Sequence, residues 1–83
     1  MELIKGKRIA GGTPFFGYKG AYKIIIQLDK SIDLANPTKP SEWYFCVEKR
    51  NGGFVYHSSY DKQSYHSKEA CANAAEVWAD LRE

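Results

Sequence analysis

Residues 43–81 constrain the fold more strongly than any other part of the chain. An alternating aromatic stretch begins at Trp43, a turn follows at residues 51–53, and a second alternating stretch occupies residues 54–57. Asparagine and glycine at the turn supply the positive φ angles that tight hairpins require. The pattern therefore predicts a β-hairpin with Trp43, Phe45 and Val47 on one face. The turn length decides which side chains of the second strand point inward, which leaves two pairs open: Phe54 with Tyr56, or Val55 with His57.

An alanine-rich segment after the hairpin predicts the one helix of the fold. Ser67 is a preferred N-cap residue, and Glu69 falls near the positive end of the helix dipole. An apolar stripe follows at helical spacing, with Cys71 at its edge, and consists of Ala70, Ala74, Val77, Trp78 and Leu81. We expect this stripe to cover one face of the sheet, because no other segment of the chain could do so.

The N-terminal half predicts one clear strand and one weaker strand. Residues 21–28 alternate, with Ile24 and Ile26 on one face and Lys23, Ile25 and Gln27 on the other. Leu3, Ile4 and Ile9 indicate a short first strand. Residues 29–42 read as a connection, since their prolines prevent a regular helix. The predicted fold class is α+β, a single domain of residues 1–83. Its antiparallel sheet has three to four strands, with one C-terminal helix packed on one face.

Residues 11–20 are rich in glycine and predict a flexible loop between these strands. The loop would carry three aromatic residues, Phe15, Phe16 and Tyr18. Two roles remain open for them: they fold back over the core, or they form a mobile contact surface.

Composition favours a folded domain with aromatic residues at its surface. The chain is 43% apolar and 14% aromatic, more aromatic residues than one small core easily hides. Exposed tyrosine and tryptophan are favoured at interfaces. The formal net charge of +2 is too small to identify a partner. No apolar run reaches the length of a membrane span, and no signal peptide is recognisable, so we expect a cytoplasmic protein without a membrane partner.

The chemistry-bearing residues do not have the spacing of a catalytic or metal site. Cys46, His57, His66 and Cys71 contain no paired ligand motif, so we expect no metal, and both cysteines are expected to be reduced and to fill the core. The polar stretch from His57 to His66 lacks a nucleophile elbow and an oxyanion site. The sequence therefore predicts a protein that is not an enzyme and has no cofactor.

Several short motifs resemble a known family. They are Trp43-Tyr44-Phe45-x-Val47, Asn51-Gly52-Gly53-Phe54-Val55, Ser58-Ser59 and Tyr65-His66-Ser67-Lys68-Glu69-Ala70-Cys71, with Ala74 and Val77. The order is similar to the short β-β-β-α repeat of the YegP-like bacterial proteins, over about half of the chain. The chain differs from that pattern by extra residues at 60–64 and by the connection at 29–42. The resemblance implies the fold alone, because the family has no established biochemical activity to carry over. A three-stranded sheet with one helix is also similar to the DNA-binding domains of phage integrases.

The leading functional prediction is a non-catalytic module that acts by protein–protein interaction. It would be a homodimer, or an accessory or inhibitor protein that docks on a larger complex. Compact chains without catalytic motifs are common among phage-encoded inhibitors, an analogy of size only. The predicted contacts are Tyr44, Tyr56, Phe16 and Tyr18, with Lys23 and Arg50 at the rim. The alternative is a nucleic-acid-binding domain with an aromatic-basic sheet face, whose phosphate contacts would be Lys5, Lys7, Arg8, Lys19, Lys23 and Arg50.

Overall fold

Five strands and one α-helix make up the computed structural model, which describes residues 1–7, 13–29 and 42–82. The elements in chain order are β1 (Ile4–Lys5), β2 (Phe15–Lys19), β3 (Tyr22–Asp29), β4 (Glu42–Lys49), β5 (Phe54–His57), a short 3-10 helix (Ser58–Asp61) and α1 (Lys68–Asp80). The strands form one antiparallel sheet in the order β1-β2-β3-β4-β5. The predicted α+β class is confirmed, but the sheet has five strands rather than three to four.

The additional strand is β2, which lies where the sequence predicted a flexible loop. All five of its residues pair with β3, from Phe15 opposite Ile26 to Lys19 opposite Tyr22. Gly20, with φ 58°, belongs to the tight turn that joins the two strands. Gly17 lies inside the strand and is buried, and a Cβ built there would fall 2.6 Å from the Met1 side chain. This glycine therefore provides close packing rather than flexibility.

The core lies between the sheet and α1, on the face that the alternation predicts. Ile24 and Ile26 of β3 and Val47 of β4 are completely buried, and Phe45 is 3% exposed. The β3 and β4 strands pair over their full lengths, with Ile24 opposite Val47 and Ile26 opposite Phe45. These four side chains form the centre of the apolar face against which the helix packs.

The helix begins as predicted but buries a different stripe. The Ser67 hydroxyl accepts a hydrogen bond from the Ala70 N–H at 3.1 Å, so Ser67 is the N-cap. The completely buried residues of α1 are Cys71, Ala75 and Ala79. The predicted stripe is wrong at Ala70, Val77 and Leu81, because Ala70 is exposed, Val77 is 58% exposed and Leu81 is 76% exposed. Ala74 and Trp78 are half-buried and pack against the core, as the stripe predicts. Small side chains at 71, 75 and 79 let the helix backbone approach the sheet closely, which turns Val77 and Leu81 away from the core.

One polar side chain is part of the core. Ser58 is completely buried at the start of the 3-10 helix, and its hydroxyl accepts a hydrogen bond from the Phe45 N–H at 3.1 Å. The bond anchors the chain after β5 to the middle of β4. It also satisfies a buried backbone donor that would otherwise destabilise the fold.

Two predicted features fall outside the described residues. These are the strand contribution of Ile9 and nearly all of the connection at residues 29–42. In the part of the chain that the structure describes, no helix has the length and apolar character needed to span a membrane.

Candidate functional site

The face of the sheet opposite α1 carries side chains from every strand, and we call it the open face. Within the described residues, the one α-helix packs on the other face, against β2, β3 and β4. Because Ile24, Ile26, Phe45 and Val47 point towards α1, the residues between them point away. Strand register then assigns the open face to Ile4, Phe16, Tyr18, Lys23, Ile25, Gln27, Glu42, Tyr44, Cys46, Glu48, Phe54 and His57.

One row of residues crosses the open face from one edge of the sheet to the other. Register places Ile4 opposite Phe16, Phe16 opposite Ile25, Ile25 opposite Cys46, and Cys46 opposite His57. This central row contains no carboxylate, ammonium or guanidinium group. Ile4 is 47% exposed, and the other four side chains are half-buried. The open face therefore has a band without lysine, arginine or acidic side chains that touches all five strands.

Two cations lie on aromatic rings beside the central row. The Lys23 ammonium is 5.1 Å from the centre of the Phe16 ring, and the Arg50 guanidinium is 4.7 Å from the centre of the Tyr18 ring. The two rings meet edge to face, with centres 6.2 Å apart. The Arg50 Nε–H also donates to the Gly20 carbonyl at 2.6 Å. Arg50 thus links the β2–β3 turn to the β4–β5 turn.

An aromatic pair also lies beside the β5 end of the row. The Tyr44 ring stacks on His57, with centres 6.0 Å apart, and its hydroxyl donates to Glu42 at 3.2 Å. The His57 Nδ1 accepts from the Ser59 N–H at 3.1 Å and lies 2.7 Å from the Ser59 hydroxyl. These contacts hold the His57 ring in place. They resemble part of a catalytic triad, but the available acid, Asp61, accepts from the Tyr56 hydroxyl instead.

The fold brings five of the six predicted contact residues together. Phe16, Tyr18, Lys23 and Tyr44 lie on the open face, and Arg50 lies at its edge over the Tyr18 ring. Their predicted role in binding stays a prediction. His57 joins them, although the sequence did not single it out as a contact. The only signal that could have found it was the parity of the hairpin, which the sequence left open.

Tyr56, the sixth predicted contact, lies on the helix-covered face. It pairs with Val47, and its ring stacks on Trp78 with centres 5.1 Å apart. The physical reason is a β-bulge between Val47 and Glu48, which changes the pairing parity of β5. The Asp61 carboxylate that accepts the Tyr56 hydroxyl raises the pKa of Tyr56 to about 12, with burial adding to the effect.

The two cysteines lie on opposite sides of the sheet, and both are free thiols. Cys71 is in the core, as predicted, and burial raises its pKa to about 12. The prediction for Cys46 is wrong, since this residue lies in the central row of the open face. Burial, and secondarily the charge of Glu48, raise the Cys46 pKa above its ordinary value. Among the described residues, no group of three or more His, Cys, Asp and Glu side chains could hold a metal ion.

The cations proposed for nucleic-acid contact do not share one surface. Register puts Lys5 and Lys19 in rows of the helix-covered face, and the Lys19 ammonium is 3.5 Å from an Asp80 carboxylate oxygen. Arg8 lies outside the described residues. Of the predicted phosphate contacts, only Lys23 and Arg50 are placed at the open face by their ring contacts.

Comparison of the chain with protein-family models, with curated proteins and with solved structures found no match. The resemblance to the YegP-like repeat therefore stays a prediction.

Proposed function

We propose that this protein is a non-catalytic binding module that docks another protein on the open face of its sheet. The observation that supports this proposal is the central row, which runs across all five strands without a lysine, arginine or acidic side chain. Interface cores are depleted in charged residues and enriched in aromatic ones. Phe16 and Tyr44 lie in or next to this row, and Tyr18 is 41% exposed beside it.

The open face alone is too small for a stable interface, whether the partner is a second copy or a different protein. Five strands about 4.8 Å apart, with three rows of side chains, present about 400 Å². A stable interface of standard size buries about 800 Å² on each partner. A partner must therefore also contact the rim, where Arg50 lies. A larger protein can contact the central row and the rim together, as the target of an accessory or inhibitor protein would.

The cations on the rings of Phe16 and Tyr18 support a second candidate, a nucleic-acid-binding domain. Bases stack on exposed aromatic rings, and lysine and arginine neutralise phosphates. Salt distinguishes the two candidates, because each phosphate contact releases counterions. Affinity for an oligonucleotide should fall by orders of magnitude between 50 mM and 200 mM salt, whereas an apolar protein interface should respond little.

Site-specific photocrosslinking in the protein's own host cells tests the proposal. A photoreactive benzoylphenylalanine would replace Phe16, in the central row, or Leu81, an exposed residue on α1, as the matched control. We expect a discrete protein adduct from position 16 that position 81 does not give. A nucleic-acid adduct from position 16 would instead support the second candidate. The absence of any adduct there, or the same adducts from both positions, would contradict docking on the open face.

A further inference from the structure

The guanidinium of Arg50 is already oriented, although this residue lies in an exposed turn. Its Nε–H donates to the Gly20 carbonyl at 2.6 Å, and its Cζ lies over the Tyr18 ring, 4.7 Å from the ring centre. The Arg50 backbone N–H donates to the Ala21 carbonyl at 3.2 Å, which fixes the start of the side chain as well. Among the described residues, no carboxylate forms an ion pair with Arg50. The two terminal nitrogens therefore present donors on a side chain that has already lost much of its freedom.

Lys23 is placed in a similar way, on the neighbouring ring. Register puts Lys23 directly opposite Glu48, yet in the described part of the chain these two residues form no salt bridge. The Lys23 ammonium lies instead over the Phe16 ring at 5.1 Å. The edge-to-face contact between Phe16 and Tyr18 connects the two cation–ring pairs into one cluster.

This end of the sheet is basic. The register and the turn contacts bring together four cations, Lys19, Lys23, Lys49 and Arg50, with two carboxylates, Glu48 and Asp80. Asp80 is already paired with Lys19. The excess positive charge is therefore at Lys23, Lys49 and Arg50, and of these three, Lys23 and Arg50 lie over aromatic rings.

A cation on an aromatic ring remains able to bind an anion. The ring contacts the face of a guanidinium group, while the N–H donors point outward in its plane. These donors match a carboxylate, which accepts two parallel hydrogen bonds from one guanidinium group. Because the tyrosine ring and the Gly20 carbonyl hold the side chain, less conformational entropy is lost when the anion binds.

We propose that Arg50 and Lys23 form a carboxylate-binding site, so that the protein docked on the open face presents an acidic side chain beside its apolar contact residues. This inference rests on the proposed function and names the chemistry of the partner. A carboxylate fits better than a chain of phosphates for two reasons. The adjacent central row has no lysine or arginine to neutralise further phosphates, and Glu48 on the same face repels a polyanion that crosses it.

A labelled acidic copolymer of glutamate and tyrosine tests the site directly. Its affinity for the protein would be measured by fluorescence anisotropy at 50 mM salt, beside a lysine–tyrosine copolymer and an oligothymidylate. Arg50→Gln should weaken acidic-copolymer binding by about tenfold or more, the range for a lost charge-assisted bidentate contact. Arg50→Lys should recover only part of the loss, because lysine has no planar fork. Lys23→Gln should also weaken binding.

Lys49→Gln is the matched control, because it removes one positive charge from the residue next to Arg50. Lys49 differs in position, since it lies in a row of the helix-covered face. We expect a change of less than about twofold in this variant. Equal losses in Lys49→Gln and Arg50→Gln would overturn the site, since they would show only a response to total charge. Oligothymidylate binding of equal strength, lost in the Arg50 and Lys23 variants, would replace the carboxylate with phosphate.

The carboxylate site and docking on the open face can be contradicted independently of each other. A protein adduct from position 16, together with Arg50 variants that bind the acidic copolymer normally, would leave docking in place and overturn the carboxylate site. Specific copolymer binding that depends on Arg50, without any adduct from position 16, would keep the anion site and overturn docking on the central row.

Discussion

Replacing Val47 or Val77 with alanine removes the same atoms from two opposite environments. The Val47 side chain of β4 is completely buried against α1, whereas the Val77 side chain of α1 is 58% exposed. The apolar pattern of the sequence predicts that both side chains belong to the core. The structure predicts that only Val47→Ala will destabilise the protein strongly.

The expected magnitudes follow from burial. Alanine lacks the two carbon atoms that end the valine side chain, and each buried methylene-sized group contributes about 0.8 kcal/mol. The cavity left beside Ile24 and Phe45 adds to this loss, so Val47→Ala should lower the free energy of unfolding by about 2–3 kcal/mol. At position 77 the lost contacts are few, and alanine is the better helix former. Val77→Ala should therefore change stability by less than about 0.5 kcal/mol.

Urea unfolding, followed by tryptophan fluorescence and circular dichroism, measures both changes. A slope of about 1 kcal/mol per molar urea converts the predicted loss for Val47→Ala into a midpoint shift of about 2 M or more. The Val77→Ala midpoint should remain within about 0.5 M of the parent. Similar losses in the two variants would show that Val77 is buried, as the sequence predicts. They would contradict the structure, in which Val77 lies outside the buried face of α1.

A second pair of substitutions tests which face of α1 is buried by enlarging a side chain instead of shortening it. Ala75 is completely buried against the sheet, and Ala70 is exposed one turn earlier. Leucine and alanine have similar helix propensities. Ala75→Leu should cost about 1–3 kcal/mol because it overfills the interface between helix and sheet, while Ala70→Leu should be nearly neutral. The reverse order of stabilities would contradict the structure.

Three further predictions concern single buried positions. Ser58→Ala should cost about 1–3 kcal/mol, because it leaves the buried Phe45 N–H without its acceptor; a neutral urea midpoint would show that the bond is dispensable. Gly17→Ala should cost a similar amount, since its Cβ would lie 2.8 Å from the backbone oxygen of Glu2, and unchanged thermal unfolding would argue against this close approach. Burial raises the Cys71 pKa from 9.0 to about 12, so the folded state holds a proton that the unfolded state releases. The free energy of unfolding should therefore fall between about pH 9 and 12, by at most about 1.4 kcal/mol per pH unit. Urea midpoints of Cys71→Ala should fall less steeply over this range than those of the parent. Parallel profiles would show that the Cys71 thiol does not cause the loss of stability.

Much of the candidate site could be predicted from residue type and alternation. Tyr44, Lys23 and Phe16 were expected to be contacts, and the register puts all three on the open face. Tyr56 could not be assigned in this way, because a single bulge in the pairing of β4 with β5 changes the face to which it belongs. The orientation of Arg50 was also beyond the sequence, since its partners, Gly20 and Tyr18, are separated from it by about 30 residues or more of chain.

Local patterns in the sequence determined the class of the fold, the β3 strand, the β4–β5 hairpin and the start of α1 at Ser67. These features depend on alternation, on glycine in tight turns and on capping, which act over a few neighbouring residues. Tertiary structure alone decided that Phe15–Lys19 is a strand and that α1 buries Cys71, Ala75 and Ala79. The physical reason is that each of these outcomes depends on which surfaces pack most closely. A glycine in a strand or a small residue on a helix becomes favourable only when a distant segment of the chain lies directly against it.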